Sequence, residues 1–320
     1  MRALVTGGAG FIGANLAGRL ARDGHGVTVL DNLQSGFRSN LDPWPQIKFI
    51  EGDIRDPAAV AEAIAGAEVV FHLAASVGNK RSIDNPVSDS EINVLGTVRV
   101  LEEARRTGVR KIVTSSSAGI FGELKHIPIA EDHPLDPDTP YGCSKLCCEK
   151  LCLSYAKLYR LEAVCLRYFN VYGPLQRFDA YGNVIPIFVF QMLRGQELTI
   201  HGDGDQTRDF VNVSDVVQAN LKAAATTGVS GAFNIGSGTV ITINRLVEML
   251  RDVSGSEVRF RHGPPRPGDV RDSKADITAA RQKLGFVPGV PLGEGLAAYL
   301  AWARQEASGH QGPKAISRQH

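Results

Sequence analysis

The order of apolar segments predicts an α/β protein, a doubly wound parallel sheet (Rossmann) with a smaller mixed α/β C-terminal unit. Three observations carry this. Short β-branched runs alternate with longer helical patterns through the first half of the chain. A glycine turn separates the first strand from the first helix, and an acid closes the second strand. Beyond Asn170 glycine, proline and aromatics become frequent and the elements shorten.

The first unit unfolds in order. Leu4-Val-Thr-Gly-Gly-Ala-Gly-Phe-Ile-Gly13 reads as strand, turn and a helix running to about Arg22. Gly7, Gly10 and Gly13 follow the G-x-x-G-x-x-G spacing: a tight turn, a close backbone approach to a diphosphate, and close helix–strand packing. A diphosphate then sits on the helix N-terminus, where free N–H groups and the dipole favour an anion. Asp31 closes Val27–Asp31, placed to accept hydrogen bonds from ribose hydroxyls and to repel a 2′-phosphate, which favours NAD over NADP. Strands follow at Ile47–Glu51, Val69–Ala75 and Val109–Ser117, with an Ala-rich helix from Pro57 and a long one over Pro86–Thr107. Right-handed crossovers make such strands parallel, and ligands bind beyond their carboxyl ends. Gly7, Asp31, Asp53, Ala75 and Ser117 all stand at such ends, so separate signals point to one cleft.

A hydroxyl run, Ser115-Ser-Ser117, ends the fifth strand, and Tyr141-Gly-Cys-Ser-Lys145 opens the next helical pattern. Residues i and i+4 share a helix face, so an ammonium stands one turn from a phenol. A free phenol titrates near ~10; a neighbouring cation, with a cationic cofactor, favours its ionised form and so a base that works near neutral pH.

Composition narrows the class. The chain has 320 residues, 43% hydrophobic and 22% charged, and a net charge of +1. That balance suits a globular enzyme and gives no reason to expect nucleic acid or an acidic membrane as partner. No apolar run approaches the roughly eighteen residues of a spanning helix. Met1–Gly7 reads as a strand entering glycines rather than a signal peptide, so a cytoplasmic location is expected. Cys143, Cys147, Cys148 and Cys152 fall in one helix and Cys165 on the next strand, a spacing for helix–sheet packing rather than a disulfide framework; no metal is assigned.

After that helix, Leu161–Asn170 reads as a strand, and Asp209–Val213 and Ala232–Ile235 as pieces folding back onto the sheet. The division expected is a cofactor-binding unit over 1–169, with segments near 209–236 returning to it, a substrate unit over 170–305, and a flexible tail over 306–320.

Thr6–Gly13, Asp31-Asn32, Asp53-Ile54, His72-Leu-Ala-Ala75, Ser115–Ser117, Tyr141-x-x-x-Lys145, Arg167–Gly173, Gly202–Phe210 and Arg266-Pro-Gly-Asp269 occur together and in order. With these motifs the chain resembles the extended short-chain dehydrogenase/reductases, in their nucleotide-sugar epimerase/dehydratase branch. The resemblance spans about residues 1–300. It implies tightly held NAD contacted by Gly7, Gly10, Phe11, Ile12, Gly13, Asp31, Asn32, Ser35, Gly36, Asp53, Ile54, Leu73, Ala74, Ala75, Tyr141, Lys145 and Phe169. It also implies that Tyr141 takes a sugar hydroxyl proton, that Lys145 assists it and holds the nicotinamide ribose, and that Ser117 bonds the same sugar oxygen. Asn170, Asn183, Arg208 and Arg266 would hold the diphosphate, and His201 would lie near the base. A homodimer built from two helices per subunit is implied as well.

The branch divides by the fate of the keto-sugar. Its dehydratases carry Asp-Glu after the hydroxyl residue, and its decarboxylases keep a Glu; here Ala118 and Gly119 stand there. That leaves epimerisation at C4 of a UDP-sugar, with Ser273 small enough to admit an N-acetyl group. A nucleotide-sugar reductase, a dehydratase using another acid, and a catalytically silent dinucleotide-binding regulator remain the alternatives. Gly78-Asn79, where the branch has Ser-Val, and Phe121, where it has Tyr, depart from the pattern.

Overall fold

The computed structural model describes residues 1–179, 182–265 and 270–309. Six strands of the main sheet are β1 (Arg2–Thr6), β2 (Gly26–Asp31), β3 (Lys48–Glu51), β4 (Val69–His72), β5 (Lys111–Ser117) and β6 (Glu162–Tyr168). The strand Gly231–Ile235 joins beside β6, completing a seven-stranded parallel sheet in the order Gly231–Ile235, β6, β5, β4, β1, β2, β3. The order reverses next to β1, which places the cleft over the ends of β1 and β4.

Both faces of the sheet are covered, so its strands are apolar on both sides. One core gathers Val5, Val29, Val113 and Leu166 under the helices Phe11–Arg22 and Val213–Ala225. The other gathers Leu4, Ile112 and Cys165 under Pro57–Ile64, Gly96–Thr107 and Pro140–Leu158. Cys148, Cys152 and Cys165 are buried in that packing, whereas Cys143 and Cys147 face outward. A third core joins Tyr172, Phe188, Phe210, Leu246 and Tyr299 in the second half of the chain.

Three departures have physical causes. The Pro86–Thr107 stretch is not one regular helix: Pro86–Ser90 and Gly96–Thr107 are joined by a π turn, Glu91–Leu95. Inside it Asn93 meets Ser76 on both backbone groups, its Oδ1 accepting from the N–H at 2.8 Å and its Nδ2 donating to the carbonyl at 3.1 Å. The Leu161–Asn170 run breaks at Phe169, and Asn170–Tyr172 pairs with Phe210–Asn212 in a separate two-stranded sheet. The edge of β6 is already taken by Gly231–Ile235, so Phe210–Asn212 has no place on the main sheet. Finally, the helix Leu292–Gly309 continues into the stretch expected to be tail. Arg177 explains this: its Nε donates to Glu306 at 2.5 Å and its Nη1 to Asn40 at 2.9 Å, with the guanidinium 3.9 Å over the Phe37 ring.

The helix Pro140–Leu158 is docked by a buried ion pair. Glu149 accepts from Arg167 of β6 at 2.7 and 3.0 Å and from the Ser116 hydroxyl at 2.9 Å. Arg167 also donates to the Glu131 carbonyl at 2.8 Å, so each of its three nitrogens makes a hydrogen bond. Glu149→Ala would strand a buried guanidinium, and urea unfolding is expected to register a loss of about 3–5 kcal/mol. Glu149→Gln, which keeps an acceptor, should lose less.

Candidate active site

The cleft begins where two backbones nearly touch. Gly7, at φ +69°, follows β1, and a Cβ there would lie 2.7 Å from the Ala74 nitrogen. A Cβ on Gly13 would lie 2.1 Å from the Gly7 carbonyl oxygen, so the first helix reaches the turn only because that atom is missing. Gly10 is the N-cap of Phe11–Arg22, and no side chain caps that end. The first-turn N–H groups, those of Phe11, Ile12 and Gly13, thus lack intrahelical partners and suit an anion.

Asp31 is buried at the end of β2. Burial pushes its carboxyl above the ordinary value, while N–H donors from Leu33 (2.8 Å) and Ala9 (2.9 Å) pull the other way. Those bonds hold the loop carrying Asn32, Ser35 and Gly36 against the glycine turn. Asp53 lies nearby, bonded by Arg55 at 2.9 Å through two nitrogens and by Asn32 at 2.8 Å. The Arg55 contact, foremost, holds its carboxyl down at about 2. Ile54 turns its side chain into the core, and a Cβ on Gly96 would meet it at 2.5 Å. Phe169 is likewise a core side chain, leaving only backbone for any ligand.

Leu73 N donates to the Thr6 carbonyl at 3.1 Å and Ala74 N to the Thr6 hydroxyl at 3.3 Å. Thr97 donates its hydroxyl to the Asn93 carbonyl at 2.5 Å. His72 Nε2 must therefore be the donor to Thr97 at 2.9 Å, which leaves Nδ1 to accept from Thr6 at 2.8 Å. Burial, with Lys145 adding, holds the His72 imidazole down at about 3, so it is neutral.

The triad residues converge beyond β5. Lys145 is 5% exposed and donates to Ser115 Oγ at 3.2 Å. Ser117 Oγ accepts from Gly119 N at 3.1 Å. A Cβ on Gly119 would lie 3.4 Å from Ser117 Oγ and 3.8 Å from Tyr141 Cε1, so both side chains border one point. Gly142 presses on the same turn; a Cβ there would be 2.5 Å from the Gly119 oxygen. Ser82 accepts from Tyr141 N at 3.0 Å, and Asn93 Nδ2 donates to Ser144 Oγ at 2.9 Å, fixing the start of the helix from two sides.

The glycine turn, the strand-end acid and the Tyr–Lys helix match the model of the NAD dependent epimerase/dehydratase family over residues 3–236. The chain belongs to that family. It is 41% identical to a UDP-glucose 4-epimerase of Mycolicibacterium smegmatis over 96% of this chain and all of that one. A Thermotoga maritima UDP-glucose 4-epimerase, solved with UDP-glucose, matches with TM-score 0.90 at 40% identity, over 96% of this chain and 100% of that one. A UDP-N-acetylglucosamine 4-epimerase of Methanobrevibacter ruminantium, in complex with UDP-N-acetylmuramic acid, gives 0.91 at 34%, over 95% and 98%. The uncapped helix, the missing Cβ atoms and the buried Lys145 ammonium form a cradle that suits a dinucleotide.

The residues expected on the substrate side lie on a second set of segments. Asn170 Nδ2 donates to the Asp209 carbonyl at 3.0 Å, and Asn183, N-cap of Val184–Leu193, reaches the Val171 carbonyl at 3.4 Å. Arg208 donates to the Thr207 carbonyl at 2.8 Å. Ser273 is buried, two residues from Ala275, whose N–H reaches Asp209 at 3.1 Å. His201 Nδ1 stands 3.1 Å from the Pro264 carbonyl, and Arg266 lies outside the described residues. Sequence reasoning missed Asp209, a buried carboxylate that also accepts from Ser237 N at 2.6 Å and Gly238 N at 3.0 Å and ties these segments together. Its signal was present: an acid directly before the apolar pair Phe210-Val211. Among the described residues no group of three or more metal-ligating side chains forms, and no helix is long and apolar enough to cross a membrane.

His72 gives this site a pH signature. Free imidazole titrates at 6.5 and this one at about 3, so between those values the unfolded chain binds the extra proton. Stability should therefore fall as pH drops from about 6.5 toward about 3, at up to about 1.4 kcal/mol per pH unit from this side chain. Urea unfolding at fixed pH is expected to show that slope reduced in His72→Gln, which cannot titrate.

Proposed function

We propose that the chain is an NAD-dependent UDP-sugar 4-epimerase, acting on the glucose/galactose pair or its N-acetylated counterpart. The observation that carries the reading is the point shared by Ser117, Tyr141 and Gly119. A phenol and a hydroxyl border it, and no carboxylate side chain stands on Gly119 to expel water or assist decarboxylation. NAD, when bound, would supply a reversible hydride acceptor for the sugar carbon, with return of the hydride to the opposite face. Tyr141 takes the proton of the sugar hydroxyl and gives it back; Ser117 hydrogen-bonds the same oxygen. Lys145 supplies a positive charge that favours the phenolate and holds the nicotinamide ribose. The glycine turn and the Phe11 helix would hold the diphosphate of the dinucleotide, and Asp31 its adenosine ribose.

Asn170, Asn183, Arg208, Arg266 and Ser273 would hold the UDP-sugar, with Arg208 and Arg266 on its phosphates. A buried serine at 273 leaves room for an N-acetyl group. A firmly held nucleotide and a loosely held sugar let the ketone turn between the two hydride transfers. The subunit would pair through the helices around Pro86–Thr107 and Pro140–Leu158, where Val87 and Leu95 stand 71% and 54% exposed. A cytoplasmic location fits this substrate class.

Incubation with UDP-glucose, UDP-galactose and their N-acetylated analogues should give products of unchanged mass and altered chromatographic mobility. Loss of water or gain of two hydrogens would overturn epimerisation. Tyr141→Phe is expected to lower turnover by at least about a thousandfold while NAD stays bound.

A further inference from the structure

Lys145 is a buried ammonium with few partners. Of its three donors, one is engaged among the described residues, by Ser115 Oγ at 3.2 Å. Among the described residues none of the titratable groups around it forms an ion pair with it. His72, at the end of β4, is neutral, and burial pushes the Cys148 thiol, on the same helix, up to about 11. Glu149, one turn along, is spent on Arg167 of β6 and on Ser116. Asp89, from Pro86–Ser90, accepts from Ser144 at 2.6 Å. Tyr141 stands one turn before it on the same helix.

Ser115 is well suited to aim such a group. It lies within β5, bonded on both sides by β4 and β6. Its hydroxyl is directed toward the His72 carbonyl at 3.4 Å, which turns a lone pair to the ammonium. Strand alternation sorts the serine run: Ser116 faces Glu149, and Ser115 and Ser117 share the opposite side.

We propose that Ser115 is a positioning residue that anchors the Lys145 ammonium from behind, so that its two remaining N–H groups face the phenol of Tyr141 and the cofactor. The proposal rests on Tyr141 acting as the base. Without the anchor the ammonium drifts, its support of the phenolate weakens, and a higher pH is needed for the same activity. The hydroxyl moves no proton out of the site, because the carbonyl behind it cannot accept one.

The test uses NAD-loaded wild type, Ser115→Ala, Ser115→Thr and Tyr141→Phe, on whichever of the four UDP-sugars the wild type interconverts. The acid limb of kcat is expected to move up by about one pH unit in Ser115→Ala, with kcat near neutral pH about tenfold lower and KM within about twofold. The deficit should shrink at alkaline pH, and Ser115→Thr should return toward wild type. A deficit equal at every pH, an unmoved acid limb, or a loss confined to KM would overturn the role of Ser115. Thermal unfolding identifies an Ala variant that is merely misfolded; the Thr variant, keeping the hydroxyl, must then carry the wild-type limb or the proposal falls. If wild type interconverts no UDP-sugar, the epimerase reading fails and this proposal with it. If wild type is active, Tyr141→Phe is not, and Ser115→Ala titrates as wild type, only the role of Ser115 fails.

Discussion

The geometry of the cleft depends on the ion pair between Glu149 and Arg167. Tyr141 and Lys145 ride on one helix, Ser115 and Ser117 on one strand, and the distance between those elements is set behind these side chains. Two opposite charges out of water are tolerated only with good geometry and further hydrogen bonds, which Ser116 and the Glu131 carbonyl supply. Such a pair adds little net stability compared with apolar packing. It does penalise any shift of the helix along the sheet, because a slip would leave charges unpaired. Angular precision at Tyr141 is thus obtained from a contact two turns away.

The cleft is electrically sparse. Asp53 is neutralised by Arg55, Glu149 by Arg167, and His72 and Cys148 carry no charge. What remains is the ammonium of Lys145 and the buried carboxylate of Asp89, which bonds Ser144 and Asn93. In a dry environment a charge acts further than it would in water, and it acts on whatever phenol or ribose lies beside it. The i,i+4 spacing of Tyr141 and Lys145 puts them on one face of that helix.

Much of this was legible in the sequence. Gly7, Gly10 and Gly13 can be read because each answers a steric demand of one turn, and the strand ends because parallel strands carry unbroken apolar runs. Ser117, Tyr141 and Lys145 follow from helix and strand periods combined with a family resemblance. The illegible parts depend on partners far along the chain. Nothing local tells Ser115 from Ser117, since their difference lies in what meets them. Glu149 and Arg167 look like surface charges until the helix is laid on the sheet. The π turn at Asn93 has no composition of its own, and Phe210–Asn212 is displaced from the main sheet by a better-placed competitor. Ile54 and Phe169, expected beside the cofactor, turn their side chains into the core.

Arg177 links these distant parts in time as well as space. The loop after Asp31 is closed from outside by a guanidinium that meets Asn40 across 137 residues and Glu306 across 129. A chain emerging from its N-terminus forms the glycine turn early, but the outer wall of that pocket waits for the last helix. Contacts of such separation form late, after the loops between them have closed. The nucleotide pocket is thus finished by the end of the chain furthest from where it began.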